Sequence, residues 1–129
     1  MKLLNTILSL IAVGLLCSCV QKTHLKTVTF RVNMNSTEHP QDVGIRGNFT
    51  SNPWNETIPM TSPNNDGVYE VTIEESTAVN AIEFKFVNTN NDFELKGQDN
   101  RTLVFKYQPE TLVYEAEFNN PEGTQTSIQ

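Results

Sequence analysis

The sequence predicts an all-β fold, an antiparallel β-sandwich or open barrel of about seven short strands. Three observations carry this. Apolar and polar residues alternate in one stretch after another, the period of a half-buried strand. Clusters of Asn, Asp, Gly and Pro punctuate those stretches at roughly ten-residue spacing. Beyond residue 18, no segment sustains the 3.6-residue repeat of an amphipathic helix.

The chain opens on a segment that stands apart from this pattern. Met1 to Ser18 reads as an export signal: Lys2 supplies a positive start, and Leu3-Leu4 and Ile7 to Leu16 an apolar run too short to span a bilayer. It ends in Leu16-Cys17-Ser18-Cys19, which resembles a bacterial lipobox, with leucine three residues before the cysteine and a small residue directly before it. The resemblance implies cleavage before Cys19, diacylglycerol on its sulfur, and a protein anchored to a bacterial membrane, the outer membrane by preference, rather than spanning it. Cys17 fits the pattern less well, because Leu16 would precede it. The expected organisation is therefore a signal at 1–18, a lipidated tether at 19–26, a single β-domain at 27–118 and a disordered tail at 119–129.

Within the domain, Val28, Phe30, Val32 and Met34 alternate with Thr29, Arg31 and Asn33 in a first strand. Val43 to Gly47 is a second, its glycines marking a bulge or a close backbone approach. Asn48 to Asp66 is a long polar loop that holds the only tryptophan, Trp54. Its neighbours Asn52, Pro53, Asn55 and Glu56 are poor core residues, which favours display of Trp54 over burial as a core plug. Asn65-Asp66-Gly67 is a turn. Tyr69, Val71 and Ile73 then alternate with Glu70 and Thr72, and Thr77 to Asn80 is the one place for a helical turn. Ile82, Phe84 and Phe86 form the inner face of the next strand, with Glu83, Lys85 and Val87 outward. Thr102 to Tyr107 and Leu112 to Phe118 complete the set. The expected core is Val28, Phe30, Val32, Ile45, Val71, Ile73, Ile82, Phe84, Phe86, Leu103 and Phe105.

Composition narrows the function. The chain carries a net charge of −6, and without Lys2 the balance is 8 basic against 15 acidic residues. An acidic domain with no basic patch argues against nucleic acid and against anionic lipid headgroups as partners. Both cysteines lie at the signal end, so the domain must fold on its core alone. His24 and His39 have no cysteine or second histidine nearby, which disfavours zinc and nucleophilic catalysis. Glu74 and Glu75 are strand neighbours that point to opposite faces, the wrong arrangement for a glycosidase acid pair. Asn88, Asn90, Asp92 and Asp99 only shadow a calcium loop, since Phe93 stands where the sharp turn needs glycine. The Asn-x-Ser/Thr sequons at Asn35, Asn48, Asn55 and Asn100 fit chance in an Asn/Thr-rich chain. The reading is of a protein that is not an enzyme, with no cofactor and no metal.

The most informative stretch is Ile82 to Arg101. It places an outward lysine, an aromatic ring, a carboxylate and a carboxamide on strand ends and turns. That equipment suits a neutral polyhydroxylated ligand, with a ring for a sugar's C–H face and polar groups for its hydroxyls. The same residues read equally as a hairpin with a solvated tip.

Taken in order, TVTFRVNM, VGIRGNF, Asn-Pro-Trp-Asn, DGVYEVTI, EFKFVN, Phe-Glu and Asn-Arg resemble the starch-binding domains of carbohydrate-binding module family 20 and their glycogen-binding relatives of family 48. The likeness runs from Val28 to about Phe118. It implies that Trp54 is a first sugar platform and that Lys85 donates to hydroxyls. Phe93 would take the place of a second platform tryptophan, Glu94 that of its neighbouring acid and Asn100 that of the asparagine before arginine. Phe93 offers less π-surface than tryptophan, and Trp54 lacks the usual preceding Leu-Gly, so the implied ligand is starch, glycogen or a related glycan. The other reading is an immunoglobulin-like structural or protein-interaction module of the bacterial cell envelope, with envelope proteins as partners and the same residues serving packing.

Overall fold

A computed structural model describes residues 19–129; the signal reading of 1–18, with Cys17, lies outside the described residues. The described chain forms nine strands, with no helix among the described residues. They are β1 (His24–Asn33), β2 (Gly44–Gly47), β3 (Ile58–Pro59), β4 (Val68–Thr77), β5 (Ala81–Asn88), β6 (Asp92–Phe93), β7 (Arg101–Val104), β8 (Glu110–Glu117) and β9 (Gly123–Ser127). Two sheets face each other as a sandwich. One has the order β4-β1-β8-β9; the other runs β3-β2-β5-β6, with β7 also on β5. The pairings are antiparallel except β1 with β8, which run parallel, a departure from the wholly antiparallel expectation.

Alternation decides which face each strand buries. On β1, Val28, Phe30 and Val32 point inward, and Thr27, Thr29 and Arg31 outward. Arg31 fixes the register on both sides, donating from Nε to Glu70 on β4 at 3.1 Å and from Nη1 to Glu115 on β8 at 3.2 Å. Across the interior, the Phe84 ring meets Phe30 and Tyr114 edge-on at 5.0 Å each and Phe86 at 5.7 Å. The core contains nine of the eleven residues expected there. Val71 and Ile73 only pack against it, on β4, an edge strand whose outer flank is met by a single bridge between Thr61 and Glu70. Met34, Val43, Met60, Leu112, Tyr114 and Phe118 join it.

Three expectations need correction. The segment 119–129 is not a disordered tail: β9 pairs with Leu112 to Ala116 of β8. All five of its residues are exposed, so no apolar repeat marks it. Backbone pairing holds it instead, together with the Gln125 side chain, which exchanges two hydrogen bonds with the Val104 backbone of β7. A Cβ at Gly123 would strike the Tyr114 hydroxyl, so a larger residue there would have to displace that ring. The tether is also shorter than 19–26, because β1 already starts at His24. Lys26 is buried, donating to the carbonyls of Lys106 and Gln108 and to Glu110 Oε2 at 2.8 Å. Finally, Thr77 to Asn80 holds no helical turn; β4 runs through Thr77 and a short connector follows.

Candidate functional site

The outer face of the β3-β2-β5-β6 sheet collects the residues that the sequence singles out. In β2, Ile45 points into the core, so Arg46 points out; the register sets Arg46 directly opposite Lys85, and Val87 opposite Phe93. Two cations facing each other across a strand pair repel. Here each is held by carbonyl oxygens. Lys85 donates from Nζ to Leu95 O at 2.9 Å and Gln98 O at 3.0 Å. Arg46 donates from Nε to Thr57 Oγ1 at 2.6 Å, from Nη1 to Trp54 O at 3.3 Å, and from Nη2 to Asn90 O at 2.7 Å and Asn91 Oδ1 at 3.2 Å. Its guanidinium also lies 5.3 Å from the centroid of the Phe93 ring.

Arg46 is therefore the post to which two loops are tied. One is the polar loop of Trp54; the other is the turn between β5 and β6 that leads to Phe93. Trp54 is half-buried and lies outside the hydrophobic core, so it is not a core plug. Its backbone has a φ of 64°, and its N–H donates to Gly47 O at 3.0 Å. A bulky residue in the left-handed region costs about 1–3 kcal/mol and persists only where surrounding bonds over-determine it. In the second loop Thr89 and Asn90 also have positive φ, and Thr89 N donates to Gln41 O at 2.6 Å. Phe93 is half-buried beside the guanidinium. The Trp54 backbone and the Phe93 ring, about forty residues apart in sequence, are thus both held by the Arg46 side chain.

The other expected site residues fare differently. Lys85 is only 9 % exposed, because the chain after β6 folds over it. Glu94 is fully buried. Its Oε1 accepts from Arg101 Nε at 2.6 Å and Phe86 N at 2.9 Å, and its Oε2 from Arg101 Nη2 at 2.9 Å and Asn119 N at 3.2 Å. With both oxygens doubly occupied, the carboxylate has no free capacity for a ligand. It fills the gap on β5 between the stretch paired with β7 and the stretch paired with β6. Burial works against the charge of Arg101, but hydrogen bonding and attraction from Glu94 outweigh it, and the guanidinium pKa is held above its ordinary value. Arg101 Nη2 also donates to the carbonyls of Glu117 and Asn120, and Nη1 to that of Glu122. Asn100 is exposed, on the loop that covers Lys85.

Arg46 is the residue that sequence reasoning missed. An arginine between two strand glycines and outward by alternation was the available signal. Two donors of the calcium-like pattern are also engaged elsewhere: Asn88 Oδ1 accepts from Gln41 N, and Asp92 pairs with Lys96 at 2.8 Å. Among the described residues no group of three His, Cys, Asp or Glu is placed to hold a metal ion.

No protein-family model matches the chain, and no curated protein matches it. Among solved structures it is similar to CBM25-2 and CBM25-1 of the beta/alpha-amylase from Paenibacillus polymyxa. The identities are 17 % and 18 %, over 82 % and 81 % of this chain and 95 % and 94 % of those, with a TM-score of 0.48 for both.

Proposed function

We propose that this protein is a non-catalytic glycan-binding module that takes a starch- or glycogen-like α-glucan or a related polysaccharide. The observation that carries the reading is that Arg46, on the outer face of one sheet, holds both the Trp54 backbone and the Phe93 ring. Both residues are partly exposed; Arg46 fixes the Trp54 backbone and lies over the Phe93 ring, and partly exposed rings suit stacking against a sugar's C–H face. Three carboxamides, Asn52, Asn55 and Asn91, are exposed on the same two loops. Lys85 and Glu94 act in this reading beneath the surface, setting the height of the Phe93 loop, while Asn100 stands at its rim.

Retention of the protein on a panel of insoluble and soluble polysaccharides tests this. Trp54→Ala is expected to remove retention while leaving the melting midpoint nearly unchanged. Because Trp54 is the only tryptophan, a bound glycan should also shift its emission. Retention that survives Trp54→Ala, with emission indifferent to the retained glycan, would overturn the assignment.

The same proposal places the module on a bacterial envelope through lipid at Cys19, which is exposed and stands a few residues before β1. Cys19→Ser is expected to move the protein from the detergent phase to the aqueous phase on phase separation. Equal partitioning of wild type and variant would remove the anchor from the proposal.

A further inference from the structure

Away from the Trp54 face, the sandwich is not filled to its end. A cavity of about 270 Å³ lies between the sheets, walled by Val28, Phe30, Phe49, Ile73, Ile82 and Phe105. The space is a cleft open to solvent at one end, lined mainly by apolar side chains. Here the sheets part where β4 leaves its partner: the connector to β5 forms one rim, and Val79 stands there 51 % exposed. The volume sits just below the roughly 300–1,000 Å³ of small-molecule sites. At the ~30 Å³ that one water-sized group occupies in a liquid, it has room for about nine such groups.

The polar groups around this apolar space define what could enter. Lys26 lies in the wall opposite Glu75 in the strand register, but its ammonium already meets two carbonyls and Glu110. Lys26 and Glu110 therefore cancel. Glu75 is exposed at the rim and is the remaining charge among the lining residues. Thr77 lines the same rim, its Oγ1 accepting from Val79 N and its hydroxyl proton free to point elsewhere. The interior thus offers aromatic and aliphatic walls, and the mouth offers a carboxylate.

We propose that this cavity binds a short linear amphiphile with a cationic head, an alkylammonium of about eight carbons. The chain would lie between the sheets and the ammonium would meet Glu75 at the mouth. This goes beyond glycan binding, because the cavity opens at the β4–β5 connector and includes none of Trp54, Arg46 and Phe93. Apolar burial supplies the attraction, and Glu75 supplies the selection of head group, as charge complementarity does elsewhere.

Three probes of equal length and different head charge test it: octylammonium, octanol and octanoate, titrated below their micelle concentrations and followed by two-dimensional NMR of the protein. Octylammonium is expected to bind most tightly, at least tenfold ahead of octanoate, with shifts centred on Ile73, Ile82 and Phe105. Glu75→Gln, at an exposed position, should erase the advantage of octylammonium over octanol. Glu75→Lys should turn the preference to octanoate. Ile73→Trp, which fills the space, should abolish binding of all three. Equal affinity for the three probes, shifts centred elsewhere, or no binding at millimolar probe would each overturn the proposal. Glycan retention measured in the same samples is independent of it.

Discussion

Arg101→Ala is expected to destabilise the fold by about 3–5 kcal/mol, because it leaves the Glu94 carboxylate buried without its partner. Against a total stability of about 5–15 kcal/mol, that brings a domain of this size near unfolding. The loss extends beyond the ion pair. The guanidinium also takes the carbonyls of Glu117, Asn120 and Glu122, so its removal frees the turn that delivers β9. Its fork meets Glu94 with two nitrogens, a geometry that a lysine cannot reproduce, so Arg101→Lys should recover only part of the loss. Replacing a buried ion pair with apolar residues is often close to neutral. Here it should not be, since Glu94 also accepts from the backbone N–H of Phe86 and of Asn119 and would leave both unpaired. Urea melts of the two single variants and of Glu94→Leu/Arg101→Met decide this. A loss under 1 kcal/mol for Arg101→Ala would mean that the pair does not hold the β6–β7 junction.

The same junction shows what the sequence could and could not convey. The inward face of a strand was legible, because alternation records contact with the core directly: β1, β5 and β8 are plain in Val28-Phe30-Val32, Ile82-Phe84-Phe86 and Leu112-Tyr114, although Val87, expected outward, is buried as well. β9 was not, since a strand wet on both faces has no alternation to record. Lys26 and Glu94 misled for a related reason. A charged residue reads as surface unless its partner is known: those of Lys26 lie some eighty residues on, and that of Glu94 is brought to it only when the chain folds back over β5. At the site, Trp54 and Phe93 were visible as aromatic rings out of register with the core. Their connection was not, because it runs through Arg46, whose bonds to Trp54 O and Asn90 O exist only once two loops have met. Lys85 was correctly outward on β5, yet the segment after Phe93 closes over it. Alternation gives the face of a strand, not what later covers that face.

Phe84→Ala and Phe93→Ala are expected to separate the core from the site. Phe84 is wholly buried and its ring touches Phe30, Phe86 and Tyr114. Truncation leaves a cavity that rigid neighbouring strands cannot close, at about 3–5 kcal/mol. The loss of edge-to-face contacts, each contributing about 0.5–1.5 kcal/mol, pushes toward the upper end. Phe93 is half-buried on a two-residue strand, and its specific partner is the Arg46 guanidinium, a contact that contributes about 0.5–1 kcal/mol at an exposed position. Arg46 keeps its four hydrogen bonds to the loops when the ring is removed. Phe93→Ala should therefore cost about 1–2 kcal/mol from the partial burial and the cation–π contact, and the fold should survive. The two variants then predict opposite patterns in two measurements. Phe84→Ala should lower the denaturation midpoint sharply while its folded fraction still binds glycan. Phe93→Ala should keep most of its stability and lose retention on the polysaccharide that the wild type binds. A Phe93→Ala protein as unstable as Phe84→Ala would make the ring a packing element of the Arg46 post, and the sugar platform would then rest on Trp54 alone.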